Sequence, residues 1–94
     1  MVDPDKAGSY SLCLRIAGEA GADLGEVARR VAAFPQVSVV MRVSGDCEVL
    51  ALAPCESREE ALALLDELHR VPGVSRVESH VVLEAVKLGG FPLK

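Results

Sequence analysis

The sequence predicts an α+β fold of ferredoxin-like type, βαββαβ, with a four-stranded antiparallel sheet and two helices on one face. The first observation is an internal repeat. A helix-like stretch runs into Phe34-Pro35-Gln36-Val37-Ser38-Val39-Val40 and again into Val71-Pro72-Gly73-Val74-Ser75-Arg76-Val77, with the two prolines 37 positions apart. Each proline pushes the residue before it out of helical geometry, so the chain turns and re-enters as a β-branched strand. The second is period-two alternation near Tyr10 and after each proline, and the third is a pair of helix-start signals, Asp23 and Ser57. Two split βαβ halves of this kind combine into the sheet named above.

Residues 1–9 carry Asp3-Pro4-Asp5 and Gly8 without periodicity and read as a linker or arm. Tyr10, Leu12, Leu14 and Ile16 alternate with Ser11, Cys13, Arg15 and Ala17, the pattern of a strand packed on one face. Gly18-Glu19-Ala20-Gly21 makes a turn. Asp23 then offers an acceptor to a helix, with Glu26 three residues on to reciprocate. Leu24, Val27, Ala28, Val31 and Ala32 fall on one face of that helix, and Glu26, Arg29 and Arg30 face away. The second strand places Val37, Val39, Met41 and Val43 against Ser38, Val40, Arg42 and Ser44. Residues 48–53 form a third strand, whose nearly continuous apolar run suggests cover on both faces. Ser57 and Glu60 frame a capping box for the second helix, with Ala61, Leu62, Leu65, Leu68 and His69 as its buried stripe. Residues 74–87 read as one long last strand, with Val77, Val81, Leu83 and Ala85 toward the helices.

That arrangement leaves one sheet face bare. Val40, Val82, Val86 and the outward positions of strand three would expose apolar area, at about 25 cal/mol per Å² left in water. Arg76, Glu78, His80 and Glu84 share that face, so its cover should be partly polar. A symmetric homodimer, giving a dimeric α+β barrel, covers the patch with itself.

Composition excludes several functions. A length of 94 residues suits one domain, and half of the residues are apolar, enough for one modest core. The formal charge of −4, with Lys and Arg scattered, argues against direct nucleic-acid binding, which needs concentrated positive charge. Tyr10, Phe34 and Phe91 are too few and too scattered for base stacking. No apolar run is long enough to span a membrane. Cys13, Cys47 and Cys55 form no Cys-x-x-Cys pair and follow no leader pattern, so the expected location is cytoplasmic and the expected role of the thiols is packing.

Catalytic and metal signals are thin. Neither His69 nor His80 has a partner at ligand or acid–base spacing, so no metal, cofactor or catalytic residue is expected. His69 suits the end of the second helix, and His80 the bare face. Gly18-Glu19-Ala20-Gly21 matches the Gly-x-x-Gly shape of RNA clamps, but Glu19 and Asp23 put negative charge where phosphates would sit. The most informative cluster is Ser44-Gly45-Asp46-Cys47-Glu48, which joins two strands and sets carboxylates beside exposed amides. A zwitterion needs an acceptor for its ammonium and donors for its carboxylate, and such a loop can supply both. A solvated hairpin turn fits the same residues.

Three stretches carry a family resemblance: Val43-Ser44-Gly45-Asp46-Cys47-Glu48-Val49-Leu50-Ala51-Leu52-Ala53, the ending from Val71-Pro72-Gly73 to Val86-Lys87, and the opening Val2-Asp3-Pro4-Asp5-Lys6-Ala7-Gly8. Together they resemble the effector (RAM) domain of Lrp/AsnC-type transcriptional regulators, over nearly the whole chain. The family's hairpin motif, Thr-Gly-x-aromatic-Asp, falls on residues 44–48: Gly45 matches, Cys47 replaces an aromatic wall, and Glu48 keeps the acid one methylene further out. Of two hydroxyl positions in the last strand, Val77 loses one and Ser79 keeps the other.

The resemblance implies an amino-acid-sensing, effector-binding and oligomerisation domain, with Ser44, Gly45, Asp46, Cys47, Glu48 and Ser79 as the effector-binding residues. It also implies dimers paired through their sheets, assembling to tetramers or octamers with an amino acid at the contact between dimers. Residues 10–88 form the ligand-binding and oligomerisation domain and residues 89–94 a C-terminal tail. The family's DNA-binding helix-turn-helix precedes a segment like residues 2–8, so the expectation is an excised effector domain or a stand-alone one that mixes with other regulators. Two readings from other classes stay open. One is a small dimeric α+β-barrel enzyme, as in siroheme decarboxylases, which needs a working His69 or His80. The other is an ACT-type regulatory domain that binds ligand at the Gly18–Gly21 turn.

Overall fold

The computed structural model describes residues 10–88, 91 and 92, so the arm expected at 1–9 and most of the tail expected at 89–94 lie outside the described residues. The elements are β1 (Tyr10–Gly18), α1 (Leu24–Ala32), β2 (Val39–Arg42), β3 (Val49–Cys55), α2 (Arg58–His69), β4 (Val74–Val81), β5 (Lys87–Leu88) and β6 (Phe91–Pro92). The first six give the expected βαββαβ order. The main sheet has strand order β2-β3-β1-β4, with β1 antiparallel to both β3 and β4 and β2 antiparallel to β3.

Both helices lie on one face. Leu12, Leu14 and Ile16 of β1 and Val49, Ala51, Ala53 and Cys55 of β3 are buried with Val27 and Val31 of α1 and Ala61, Leu64 and Leu68 of α2. No charged or polar side chain among the described residues is buried in this core. Burial keeps the Cys55 thiol protonated to higher pH than usual, and the nearby Glu60 carboxylate pushes the same way.

The helix starts follow the capping logic with altered partners. Asp23 Oδ1 accepts the Glu26 amide at 3.2 Å, but the Glu26 carboxylate turns to Arg29 (3.0 Å) and Arg30 (3.5 Å) instead of reciprocating. Ser57 Oγ accepts the Glu60 amide at 3.0 Å, and Glu60 Oε1 returns to the amide of Glu56, one residue before the cap, at 2.7 Å.

Three sequence expectations are corrected. In β2 the facing is inverted: Val40 pairs with the buried Ala51 and packs on the core, whereas Val39 and Met41, opposite Leu52 and Leu50, point to the open face. A turn at residues 34–37, closed by the Val37 amide on the Phe34 carbonyl at 3.1 Å, resets the alternation that continuous period-two counting assumes. In α2 the buried stripe runs through Leu64, while Leu62 is half exposed and His69 lies outside with Nδ1 donating to the Leu65 carbonyl at 2.8 Å. The long last strand stops at Val81. One further bond, from the Val82 amide to the Ser11 carbonyl at 2.7 Å, extends the ladder, and β5 and β6 then pair only with each other. Leu83, expected toward the helices, is 83% exposed because the sheet ends before it.

Candidate functional site

The loop between β2 and β3 closes where the Val43 amide donates to the Glu48 carbonyl at 2.9 Å. Its tip, Ser44, Gly45 and Asp46, is exposed. Gly45 has φ +104°, a conformation that favours residues without a Cβ, and a Cβ there would meet nothing within 4 Å. The tip therefore opens to solvent, with its amides and the Asp46 carboxylate at the surface.

The base of the loop behaves differently. Cys47 is buried, and Glu48 has φ +69°, alone among the described non-glycine residues in that region. The Val49 amide closes a tight turn on the Cys47 carbonyl at 2.7 Å, a strained geometry unless the surroundings hold it. They do: Glu48 Oε1 accepts the Gly18 amide at 2.9 Å, tying the loop to the end of β1. The longer acid at this position thus serves as an internal anchor, and Cys47 plugs the loop base.

Ser79 stands apart. It is opposite Leu14, which is in turn opposite Ala51, so β1 lies between Ser79 and the strand that carries the loop. Two strand spacings are about 10 Å. Within one protomer the six expected site residues divide into an exposed tip, a buried base and an exposed hydroxyl on a distant edge strand.

The open sheet face is ordered in rows. One reads Val39, Leu52, Cys13, His80 and the next Met41, Leu50, Arg15, Glu78. Its β2–β3 half is apolar and its β1–β4 half polar, with Arg15 and Glu78 paired at 3.5 Å. His80 therefore lies on the expected face, across from Cys13. Among the described residues no cluster of three or more His, Cys, Asp or Glu could hold a metal ion, and no helix is long and apolar enough to cross a membrane.

Two features escaped the sequence reading. The Gly18 amide as partner of Glu48 joins positions 30 apart and had no local signal. A groove between the ends of α1 and α2 is lined by Arg30, Phe34 and Pro35 on one side and Glu67, Arg70 and Pro72 on the other. The Phe34-Pro35 and Val71-Pro72 repeat pointed to those positions, but only as turns.

Comparison with known proteins supplies what geometry cannot. The family model described as "Lrp/AsnC ligand binding domain" matches residues 10–90. An uncharacterized HTH-type transcriptional regulator of Pyrococcus furiosus is 31% identical over 67 residues, 71% of this chain and 45% of that protein. An HTH-type transcriptional regulator of Pyrococcus horikoshii is 25% identical over 87 residues, 93% of this chain and 58% of that protein. The chain thus spans about half the length of these relatives.

Among solved structures, AsnC of E. coli superposes with a TM-score of 0.79 at 14% identity, covering 94% of this chain and 60% of that one. A transcriptional regulator of Neisseria meningitidis, solved as a complex with L-Met, gives 0.76 at 22%, covering 94% and 59%. A protein of Thermus thermophilus gives 0.75 at 21%, covering 84% and 99%. At these identities the structures speak for the fold, the ferredoxin-like arrangement of AsnC-type regulators. The family match decides among the three classes of function in favour of a regulatory ligand-binding domain over an enzyme or an ACT-type unit. With the βαββαβ sheet, the one-sided helix layer and the match over residues 10–90, the chain belongs to the Lrp/AsnC ligand-binding domain family of transcriptional regulators.

Proposed function

We propose that this chain senses a small amino acid and converts its binding into a change of assembly. The observation that carries the reading is the divided β2–β3 loop, whose exposed tip is held by the Glu48–Gly18 anchor. Asp46 accepts the ligand ammonium, and the amides of residues 44–46 donate to its carboxylate. Such a pair of charge-assisted contacts is stronger than neutral hydrogen bonds and fixes the orientation of a zwitterion. The L-Met complex of the Neisseria meningitidis regulator supports an amino acid as the ligand class.

Ser79 joins the loop only across a contact between protomers. The open sheet face pairs two copies into a homodimer, and dimers meet as tetramers or octamers in which the loop of one protomer faces β4 of another. Ligand bound at that contact favours the assembled state by its differential affinity for it. DNA contact falls to a helix-turn-helix, either in a longer protein that holds this domain or in a regulator with which a stand-alone copy mixes, and the site of action is the cytoplasm.

Light scattering with a panel of amino acids tests the reading. One amino acid should change the particle mass, and Asp46→Asn should abolish that response while leaving the ligand-free assembly intact. A mass and melting temperature unmoved by every amino acid at about millimolar concentration, where even weak sites fill, would sink it.

A further inference from the structure

The groove between the helix ends is built from the repeat itself. It has a volume of about 460 Å3, and its walls are positions 30, 33, 34 and 35 of the first half and the positions 37 further on in the second. Phe34 and Pro35 face Val71 and Pro72 as apolar counterparts, and Arg30 has Glu67 as its equivalent. The same place in the two halves therefore carries opposite charge. Arg70 stands in the second half where the first has Ala33, adding a guanidinium to the rim.

We infer that this groove binds an apolar α-amino acid as a zwitterion, its carboxylate on the Arg30 and Arg70 guanidiniums, its ammonium on Glu67, and its side chain against Phe34, Pro35 and Pro72. Arg30 is held ready: Nη1 donates to the Pro72 carbonyl at 3.1 Å and Nε lies 3.5 Å from Glu26, leaving Nη2 for a ligand. Glu67 is exposed and makes no ion pair among the described residues. Two helices end at this groove, and each adds a partial negative charge at its C-terminus. The groove thus offers guanidiniums to a carboxylate and the Glu67 carboxylate to an ammonium, the two contacts that a zwitterion makes and that a free acid or an amine only half uses. The volume falls at the low end of small-molecule sites, and the half-buried Phe34 and the buried Val71 give the open groove an apolar floor.

The ligand class rests on the sensing proposal, but the site lies in the helix layer of a single protomer, away from the β2–β3 loop. Calorimetric titration of the full chain uses L-leucine, its oxo acid 4-methyl-2-oxopentanoate and its amine isoamylamine, each to about 20 mM to reach weak affinities. L-leucine should bind at least about tenfold more tightly than either analogue, because each lacks one charge-assisted contact. Arg70→Gln and Glu67→Gln, at exposed positions that should not disturb folding, should each weaken L-leucine at least about tenfold, and the component of binding that these two variants remove should persist in Asp46→Asn.

Absence of L-leucine binding, or binding indifferent to both groove variants, overturns the inference. Loss confined to Asp46→Asn overturns it and keeps the loop as effector site. Groove-dependent binding of L-leucine that never changes the assembly supports the groove and leaves the loop-based sensing to be decided by the full panel of amino acids.

Discussion

The two faces of one sheet differ in almost everything except strand order. On the helix side Leu14, Ile16, Val49 and Ala51 are wholly inaccessible, whereas on the other side Val39 and Met41 are 37% and 43% exposed beside the Arg15–Glu78 pair. The first face shields its apolar surface within the protomer, so it supplies the folding energy. The second leaves its apolar half in water, so its energy is released only when something covers it. One β-strand serves both, because successive side chains point to opposite sides.

Removing a side chain from the covered face should have the largest effect. Leu14→Ala leaves a cavity in the core between sheet and helices and should cost about 2–5 kcal/mol in denaturant unfolding; a loss below about 1 kcal/mol would mean that this face does not hold the fold. Next comes the turn where α1 packs on the start of β4. Gly73 has φ +92°, and a Cβ there would stand 2.9 Å from Val27 Cγ2, a stiff β-branched side chain. Gly73→Ala should cost about 2 kcal/mol or more, from strained backbone and crowding together. The same change at Gly45, where space is open, should cost only the conformational part, about 1 kcal/mol.

On the open face Met41→Asp should leave the unfolding free energy of the protomer within about 0.5 kcal/mol while dissociating the assembly, seen by sedimentation. A variant that keeps its mass shows that this face is not where copies meet. The cysteines give the finest contrast. In the dissociated Met41→Asp variant, Cys13 on the open face should react with a thiol reagent before Cys55, which is buried and whose thiol is held protonated. Because the folded-state pKa of Cys55 lies above its unfolded value, its contribution to stability is complete below the unfolded pKa and falls as pH rises through the folded one. A Cys55→Ser variant should show a flatter alkaline loss of stability.

Local sequence signals settled the elements. The prolines at 35 and 72, the caps Asp23 and Ser57, and the alternation from residue 11 to residue 17 are short-range features, and each appears where its physics placed it. Residues 44–47 were legible as a loop for the same reason, whereas Glu48, read as the first residue of the third strand, belongs to the loop because β3 begins at Val49. Tertiary structure decided which side β2 shows, because a four-residue turn at 34–37 shifted its phase, and where the last strand ends, because that depends on partners in β1. It also decided that Glu48 anchors the loop through Gly18, that Ser79 stands apart from it, and that the repeat turns meet in one groove. Caps and periodicity are written in neighbouring residues. Register, anchoring and grooves join residues far apart in sequence, and only the folded chain brings them together.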